Sequence, residues 1–399
     1  MWNSLVVHIV QLVESGNPQM FGGVISSCLT RAQFLMDHGH EVSLVCRGYP
    51  DWDQPFVHKG VSVYPTRPKD FKLGKLWERQ YLHPLLPHYM AKAVDRLATE
   101  RGVDLLEIND SFPAQKMDRV IAKHDLWVAH SIQGTAFLHP GLPPKVKKAS
   151  MQWEAKVAKM SDMSFPLSNY LASAFRPYVD DSRVRVIYNP IPAAFRDYRR
   201  QPLQLDSSQP LKLLFMARMD SGKRILKLIE AIGRLPDPSR VRLKAVGQGD
   251  ELATARRLVG ELGLRSVIEF TGDYVYGTDA VLAEYDQADL VVNPTAMEGF
   301  SLAILECMGT RTPQLVTDLP PNVEALGIEY PFYFGVDNVE QLASQLWRVV
   351  ENRSLLSVSA DLMTRRASLF TPEACFSPMV DALLELEQGK IDRRLRVAA

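Results

Sequence analysis

Two glutamates, Glu298 and Glu306, flank a glycine-containing turn in the second half of the chain. The apolar residues 290–292 predict a short buried strand before the turn, and the apolar positions that follow Ser301 predict a helix. Ser301 is a residue type that caps helices. The start of a helix offers free N–H groups and the positive end of its dipole, which together bind anions. The segment therefore predicts an anion site between two carboxylates.

The spacing of the carboxylates indicates which anion would fit. A helix rises only about 7–8 Å between Ser301 and Glu306. An anion at the helix start would therefore have Glu298 on one side and Glu306 on the other. A nucleotide sugar has this form, because its phosphates lie between two rings that carry hydroxyl groups.

Two cations, Arg218 and Lys223, follow the strand predicted at residues 211–217 and lie on either side of Gly222. Both could contact one phosphate group, and each charge-assisted contact of this kind contributes about 1.5–3 kcal/mol. The alternative is a solvated loop with two ordinary cations. The carboxylate pair elsewhere in the same half favours the phosphate interpretation.

The elements that would position these residues alternate between strand and helix. In the first half, strands are predicted at residues 5–12, 41–46, 103–108, 127–129, 163–165 and 184–187, with helices at 24–38, 115–123, 147–160 and 169–178. In the second half, strands are predicted at residues 211–217, 242–246, 268–270, 290–292 and 314–316, with helices at 225–235, 251–262 and 280–288. This alternation predicts two doubly wound α/β domains, with the ligand in the cleft between them.

Composition restricts the class of protein. The chain has 399 residues, 46 basic and 46 acidic side chains and four widely spaced cysteines. A formal charge of zero argues against nucleic acid as a partner, and the cysteine spacing suggests neither a disulfide framework nor a zinc site. The scattered cysteines are typical of a reducing cytosol, and neither a signal peptide nor a long apolar span is recognised, so we expect a cytoplasmic protein.

The ordered motifs resemble the retaining glycosyltransferases of the GT-B family 4. The matching features are the E-x7-E pair Glu298 and Glu306, the Arg218-x4-Lys223 pair, the Gly-x-Gly turn at residues 246–251, Gly22-Gly23, His130 and Asn189-Pro190-Ile191. The resemblance covers almost the whole chain. It implies two Rossmann-like domains facing each other across a cleft: an acceptor-binding domain at 1–203, a donor-binding domain at 204–372, and a C-terminal helix at 373–399 that packs back toward the first.

The same resemblance implies roles for individual residues. The catalytic set is His130, Arg218, Lys223 and Glu298. Glu298 would bind hydroxyls of the donor sugar, Glu306 would hold the ribose, and the two cations would stabilise the departing diphosphate. The implied donor-binding set is Gly22, Gly23, Gly247, Gly272, Tyr274, Gly299, Phe300, Ser301, Leu302 and Glu306. His130 has a structural alternative, that of a buried core histidine.

The implied reaction transfers a hexosyl group from a nucleoside diphosphate sugar to a hydroxyl by front-face substitution, without metal or other cofactor. UDP is the favoured nucleotide, with GDP and ADP open, and the acceptor is a small molecule, a glycan or a lipid-linked molecule. Asp51 and Asp53 form an Asp-x-Asp that we interpret as a loop and not as a metal site. Two other functions remain open: a nucleotide-sugar 2-epimerase and a catalytically silent partner subunit.

Acceptor contacts are expected from the first domain. Asn109, Asp110 and Gln133 follow predicted strands and are candidates, with ordinary loop polarity as the alternative. The basic segment 67–79 could touch anionic lipid or an anionic acceptor, or form a solvated amphipathic helix. We expect at most peripheral membrane contact.

Two positions depart from the family pattern. Arg311 stands where glycine is usual, and Pro320-Pro321 replaces a usual pair of glycines. We expect both to lie on loops near the donor diphosphate.

Overall fold

The computed structural model describes residues 7–14, 23–48, 52–67, 85–134, 136–139, 141–200, 203, 206–272 and 278–398. The chain divides into two compact units. Unit 1 comprises Met1–Phe137, Pro143–Tyr188 and Cys375–Ala399, and unit 2 comprises Leu138–Leu142 and Asn189–Ala374.

The division after Tyr188 comes earlier in the chain than the predicted domain limit at residue 203. Packing around Gly309 explains the difference. A Cβ at Gly309 would lie 2.7 Å from Ile191 Cγ2 and 2.9 Å from Phe195 Cβ. This close approach holds the segment that follows Tyr188 against a helix of unit 2.

Unit 1 is built on a seven-stranded sheet with the order β3-β4-β2-β1-β5-β6-β7. Among the described strands, the β3–β4 pair is antiparallel and the other pairs are parallel. The strands are β1 (His8–Val13), β2 (Glu41–Arg47), β3 (Phe56–His58), β4 (Val61–Thr66), β5 (Leu105–Ile108), β6 (Trp127–Ile132) and β7 (Met163–Pro166). The α-helices are α1 (Gly23–Asp37), α2 (Leu86–Arg101), α3 (Asp118–His124), α4 (Pro144–Met160) and α5 (Asn169–Phe175).

One buried apolar cluster of unit 1 lies between the central strands and α2. All six residues of β1 are buried, as expected for a parallel strand covered on both faces. Val10 and Leu12 of β1 belong to the same buried cluster as Met90 and Val94 of α2. The polar residues of β1 and β5 therefore need partners inside the unit.

Several predictions in this half were incomplete or wrong. We did not predict β3, β4 or α2. The strand predicted at residues 184–187 is wrong, because only Val184 makes a single bridge, to Ser164. The helix predicted at 115–123 is divided into a 3₁₀ turn, Pro113–Lys116, and α3.

Unit 2 contains a six-stranded, fully parallel sheet with the order β10-β9-β8-β11-β12-β13. The strands are β8 (Leu211–Met216), β9 (Val241–Val246), β10 (Ile268–Phe270), β11 (Leu290–Asn293), β12 (Gln314–Thr317) and β13 (Tyr333–Phe334). The α-helices are α6 (Ala193–Arg196), α7 (Ile225–Gly233), α8 (Leu252–Glu261), α9 (Thr278–Gln287), α10 (Leu302–Thr310), α11 (Pro320–Leu326), α12 (Val339–Glu351) and α13 (Ser354–Ala367); α14 (Pro372–Ala398) begins here and continues into unit 1.

Both units have the doubly wound α/β architecture that the sequence predicts. In unit 2, β8 and β11 are neighbours although a long stretch of chain separates them. Their carboxyl ends meet at one edge of the sheet, where ligands of such sheets bind. No helix in the described part of the chain is both long enough and apolar enough to cross a membrane.

Candidate active site

A tight turn after β8 positions Lys223 at the carboxyl edge of the unit 2 sheet. The side chain of Asp220 orders this turn, because its Oδ1 accepts the N–H groups of Gly222 at 2.9 Å and Lys223 at 3.1 Å. The turn leads directly into α7. Asp220 was not among the predicted site residues, although Asp-Ser-Gly is a recognisable turn signature.

This turn is joined to the loop that carries Glu298. The carbonyl of Gly222 accepts the N–H of Ala296 at 2.8 Å and the hydroxyl of Thr295 at 3.3 Å. Lys223 Nζ lies 2.6 Å from Glu298 Oε1. The structure thus brings together two predicted catalytic residues from loops that follow neighbouring strands.

Arg218 contacts a different carboxylate from the one that Lys223 contacts. Its guanidinium lies 3.3 Å from Asp220 Oδ2, and its side chain is 65% exposed. The next residue, Met219, donates its N–H to Gln248 at 2.7 Å and accepts that of Glu251 at 2.9 Å. These bonds fasten the Arg218 loop to the glycine turn after β9, so that Arg218 stands at the open rim of the same edge.

The glycine turn after β9 depends on unusual backbone angles. Gly247 has φ 135° and Gly249 has φ 153°. A Cβ at Gly249 would lie 2.3 Å from the carbonyl oxygen of Met219. Only glycine allows the two loops to approach this closely.

The segment Gly299, Phe300, Ser301 and Leu302 leads into α10. Phe300 is buried and its ring lies 5.6 Å from that of Phe370, which anchors the segment. Ser301 occupies the N-cap position but makes no side-chain capping bond, so the predicted side-chain cap is wrong. The extended backbone of Ser301 still starts the helix, since its carbonyl accepts the N–H of Leu305.

Glu306 lies on α10 with its carboxylate against a tyrosine of α9. The hydroxyl of Tyr285 donates to Glu306 Oε2 at 2.6 Å. Burial raises the pKa of Glu306 to about 7, and the bond from Tyr285 opposes part of that rise. No ion pair to Glu306 is found among the described residues. Tyr285 was not predicted, because nothing in the sequence marks it as different from a core tyrosine.

The remaining predicted donor residues are only partly described. Gly272 follows β10 with φ 75°, and Gly23 is the first residue of α1. Gly22 and Tyr274 lie outside the described residues.

In unit 1, the structure places His130 differently from the prediction. The strand that contains it continues to Ile132, so His130 lies within β6 and not after it. It is 2% exposed, its ring meets Phe175 edge-on at 5.7 Å, and its Nε2 lies 3.4 Å from Glu154 Oε2. Glu154, on α4, is a neighbour that we did not predict.

Two predicted acceptor residues contact each other at the carboxyl edge of the unit 1 sheet. Gln133 donates to Asn109 Oδ1 at 2.8 Å, and Arg31 of α1 donates to the same oxygen at 2.7 Å. Arg31 also lies 2.6 Å from Glu107 on β5, with both side chains fully buried. The sequence did not reveal this ion pair, which holds Asn109 and thereby Gln133.

Asp110 contacts the end of β1. Its Oδ2 accepts the N–H of Glu14 at 2.7 Å. Burial, reinforced by the charge of Asp110, raises the pKa of Glu14 to about 8, against the opposing effect of Arg47. This edge of unit 1 therefore carries both carboxylates and amides.

Two further predictions concern regions that are partly described. Among the described residues, no group of three or more His, Cys, Asp or Glu side chains is arranged to hold a metal ion. Asp53 is exposed, whereas Asp51 and the greater part of the basic segment 67–79 lie outside the described residues.

The two departures from the family pattern fall at different places. Arg311 ends α10 in the left-handed region with φ 58°, a conformation that favours glycine. It lies at the carboxyl end of α10, and its position near the diphosphate stays a prediction. Pro320 and Pro321 are the first two residues of α11, so the prediction that they lie on a loop is wrong. Asn322 of the same helix donates to the carbonyl of Thr317 at 3.0 Å. Proline suits the first turn of a helix because its missing N–H is not needed there.

Comparison with protein families gives two matches, one in each half of the chain. Residues 21–195 match the family described as "Glycosyltransferase Family 4", and residues 210–352 match "Glycosyl transferases group 1". An uncharacterized glycosyltransferase of Methanocaldococcus jannaschii is 26% identical to the chain, and the alignment covers 76% of the chain and 78% of that relative.

Solved structures resemble the chain over nearly its whole length. A sucrose-phosphate synthase from Thermosynechococcus elongatus matches with a TM-score of 0.77 and 18% identity, covering 98% of this chain and 100% of that one. HepE of Anabaena, in complex with UDP and glucose, matches with a TM-score of 0.69 and 16% identity, covering 96% and 99%. These likenesses confirm the GT-B fold class.

Proposed function

The chain belongs to the family 4 glycosyltransferases of group 1, which are transferases of EC class 2.4, and we propose that it moves a hexosyl group from a nucleoside diphosphate sugar to an acceptor hydroxyl with retention of configuration. The observation that carries this proposal is the contact between Lys223 and Glu298 at 2.6 Å. It brings the cation that we propose binds phosphate next to the carboxylate that we propose binds sugar hydroxyls, at the carboxyl edge of one sheet.

The proposed roles follow the chemistry of the leaving group. Negative charge grows on the diphosphate as the bond to the anomeric carbon breaks. Lys223, the exposed Arg218 and the N–H groups at the start of α10 stabilise that charge. These groups supply the positive charge that a metal ion would otherwise provide, so the proposed reaction is metal-independent.

The acceptor oxygen attacks the anomeric carbon on the face from which the nucleoside diphosphate leaves. The acceptor proton passes to an oxygen of the departing phosphate. One C–O bond breaks and one forms on the same face, so configuration is retained and no enzyme nucleophile is needed. Glu298 binds sugar hydroxyls, and Glu306 binds the ribose.

UDP is the proposed nucleotide. Support comes from HepE of Anabaena, whose structure holds UDP and glucose on the same fold. The acceptor is proposed to contact Asn109, Asp110 and Gln133 of unit 1, with His130 beside the reacting centre.

A panel of nucleotide sugars tests the proposal. Thermal unfolding is measured with UDP-, GDP- and ADP-sugars, because a ligand stabilises the folded protein by RT ln(1 + [L]/Kd). We expect one nucleotide class to raise the melting temperature, and expect that donor to release nucleoside diphosphate when acceptors are added. Epimerised sugar released without any acceptor would contradict transfer.

A further inference from the structure

The hydroxyl of Tyr285 is aimed at the carboxylate that we propose holds the ribose. Tyr285 is 1% exposed, and its hydroxyl lies 2.6 Å from Glu306 Oε2. The ring also packs against Phe195 of α6, which meets it edge-on at 6.0 Å and 81°. Tyr285 therefore has a fixed orientation, and its hydroxyl fixes one oxygen of Glu306.

The carboxylate of Glu306 can accept the bond from Tyr285 and further hydrogen bonds at the same time. A carboxylate offers about four acceptor sites on its two oxygens. The hydroxyl of Tyr285 occupies one site on Oε2, and the other sites remain for ribose hydroxyls. The ring of Tyr285 is buried and packed, so its side chain has already lost its rotamer freedom on folding. The bond to Glu306 therefore restricts the glutamate rotamer at little further entropic cost to Tyr285.

We infer that Tyr285 is a positioning residue of the proposed nucleotide site, which favours the ionised form of Glu306 and orients its carboxylate to accept the two hydroxyls of the ribose. This inference rests on the proposed function. Tyr285 touches no reacting atom, and it acts through Glu306 alone.

The protonation states agree with this role. Burial and the neighbouring Glu306 raise the pKa of Tyr285 well above its usual value, so the phenol stays a donor. Burial raises the pKa of Glu306 to about 7. The other groups nearby are the buried thiol of Cys307, whose pKa is raised well above the usual value, and Arg200, whose charge acts on Cys307.

The protonation of Glu306 sets the sign of the expected pH dependence of nucleotide affinity. Glu306 accepts two hydroxyls only when ionised, so nucleotide affinity should fall as the pH falls through about 7. The bond from Tyr285 stabilises the ionised form. Its removal should raise the pKa of Glu306 and shift the affinity profile toward alkaline pH.

The test uses Tyr285→Phe, with Tyr330→Phe as a matched control. Tyr330 is also buried in unit 2, and its hydroxyl contacts Gln314 and Ser359. The Kd of the nucleoside diphosphate that stabilises the wild type, and of its 2′,3′-dideoxy analogue, is measured across a pH series. We expect Tyr285→Phe to weaken the ribose nucleotide about tenfold near neutral pH, to shift the profile to higher pH and to leave the dideoxy analogue unchanged. Tyr330→Phe should leave the profile where it is.

Equal losses for both nucleotides, or an unshifted profile in Tyr285→Phe, would overturn the inference. Glu306→Gln gives a second measurement if Tyr285→Phe does not fold, because it should abolish the pH dependence of affinity; persistence of that dependence overturns the inference as well. A wild-type protein that binds none of UDP, GDP and ADP overturns the proposed function itself, which separates the two failures.

Discussion

The ammonium of Lys223 and the carboxylate of Glu298 form an ion pair at 2.6 Å. The family resemblance gives these residues to different parts of the donor, one to the phosphate and the other to the sugar. In the structure they contact each other, and the Gly222 carbonyl joins their loops. A donor phosphate that contacts the ammonium of Lys223 must therefore compete with the carboxylate of Glu298 for it. Substitutions of the two residues should for this reason not act independently.

Substitution of Lys223 tests the phosphate role. Lys223→Ala should lower kcat at saturating donor by about 10²–10³, because one donor of positive charge to the leaving group is lost. Lys227→Ala is the matched control, since Lys227 pairs with Glu230 within α7. Turnover near the wild-type rate in Lys223→Ala would contradict the assignment.

Substitution of Glu298 tests the sugar role. Glu298→Ala should weaken discrimination between donor sugars that differ at one hydroxyl, because the acceptor for that hydroxyl is gone. The ratio of kcat/KM for two such sugars measures the effect.

In a double-mutant cycle, Lys223→Met and Glu298→Gln should show a coupling of about 0.5–3 kcal/mol in donor binding. Unchanged selectivity together with additive losses would remove the proposed role.

The carboxyl group of Glu14 should make stability depend on pH. Its pKa is raised from 4.5 to about 8 in the folded protein, so the folded state holds a proton that the unfolded state has lost between these values. Stability should therefore decrease as pH rises through this range. Glu14→Gln, which resembles the protonated form, should flatten the profile in urea unfolding. An identical pH slope in the variant would show that Glu14 is not responsible.

The close approach of the loops at Gly249 should be sensitive to a single methyl group. Gly249→Ala brings a Cβ to 2.3 Å from the Met219 carbonyl oxygen, in addition to the cost of its positive φ. We expect a loss of about 2–4 kcal/mol in unfolding free energy. Gly263→Ala is the control, because Gly263 also has positive φ but no neighbour within 4 Å. Equal losses for the two variants would argue against the contact.

Local pattern predicted the strands that precede the site but not their full extent. The apolar residues of β8, β9 and β11 form short buried runs bounded by turn residues, so these strands were recognised. The end of β6 was misplaced, because His130 is a polar residue inside a buried strand. Its register with Ser164 and Ile108 depends on the neighbouring strands and not on its own sequence.

Arg311 shows the limit of comparing residue types alone. The sequence marked Arg311 only as a departure from glycine, whereas the structure places it at the carboxyl end of α10 in a left-handed conformation. The usual glycine is explained there by backbone geometry. Residue type indicated that the position is special, and only the structure showed why.

The sequence by itself determined the fold class, through the alternation of strands and helices, and it marked Lys223, Glu298 and Glu306 as candidate site residues, because each lies in a recognisable local motif. The tertiary structure decided which of them meet. Lys223 reaches Glu298 because β8 and β11 are adjacent in a parallel sheet, and parallel strands bring their carboxyl ends to one edge. Tyr285 reaches Glu306 because α9 and α10 pack together. Such contacts depend on strand order and helix packing, which are set by the burial of apolar surface over the whole domain.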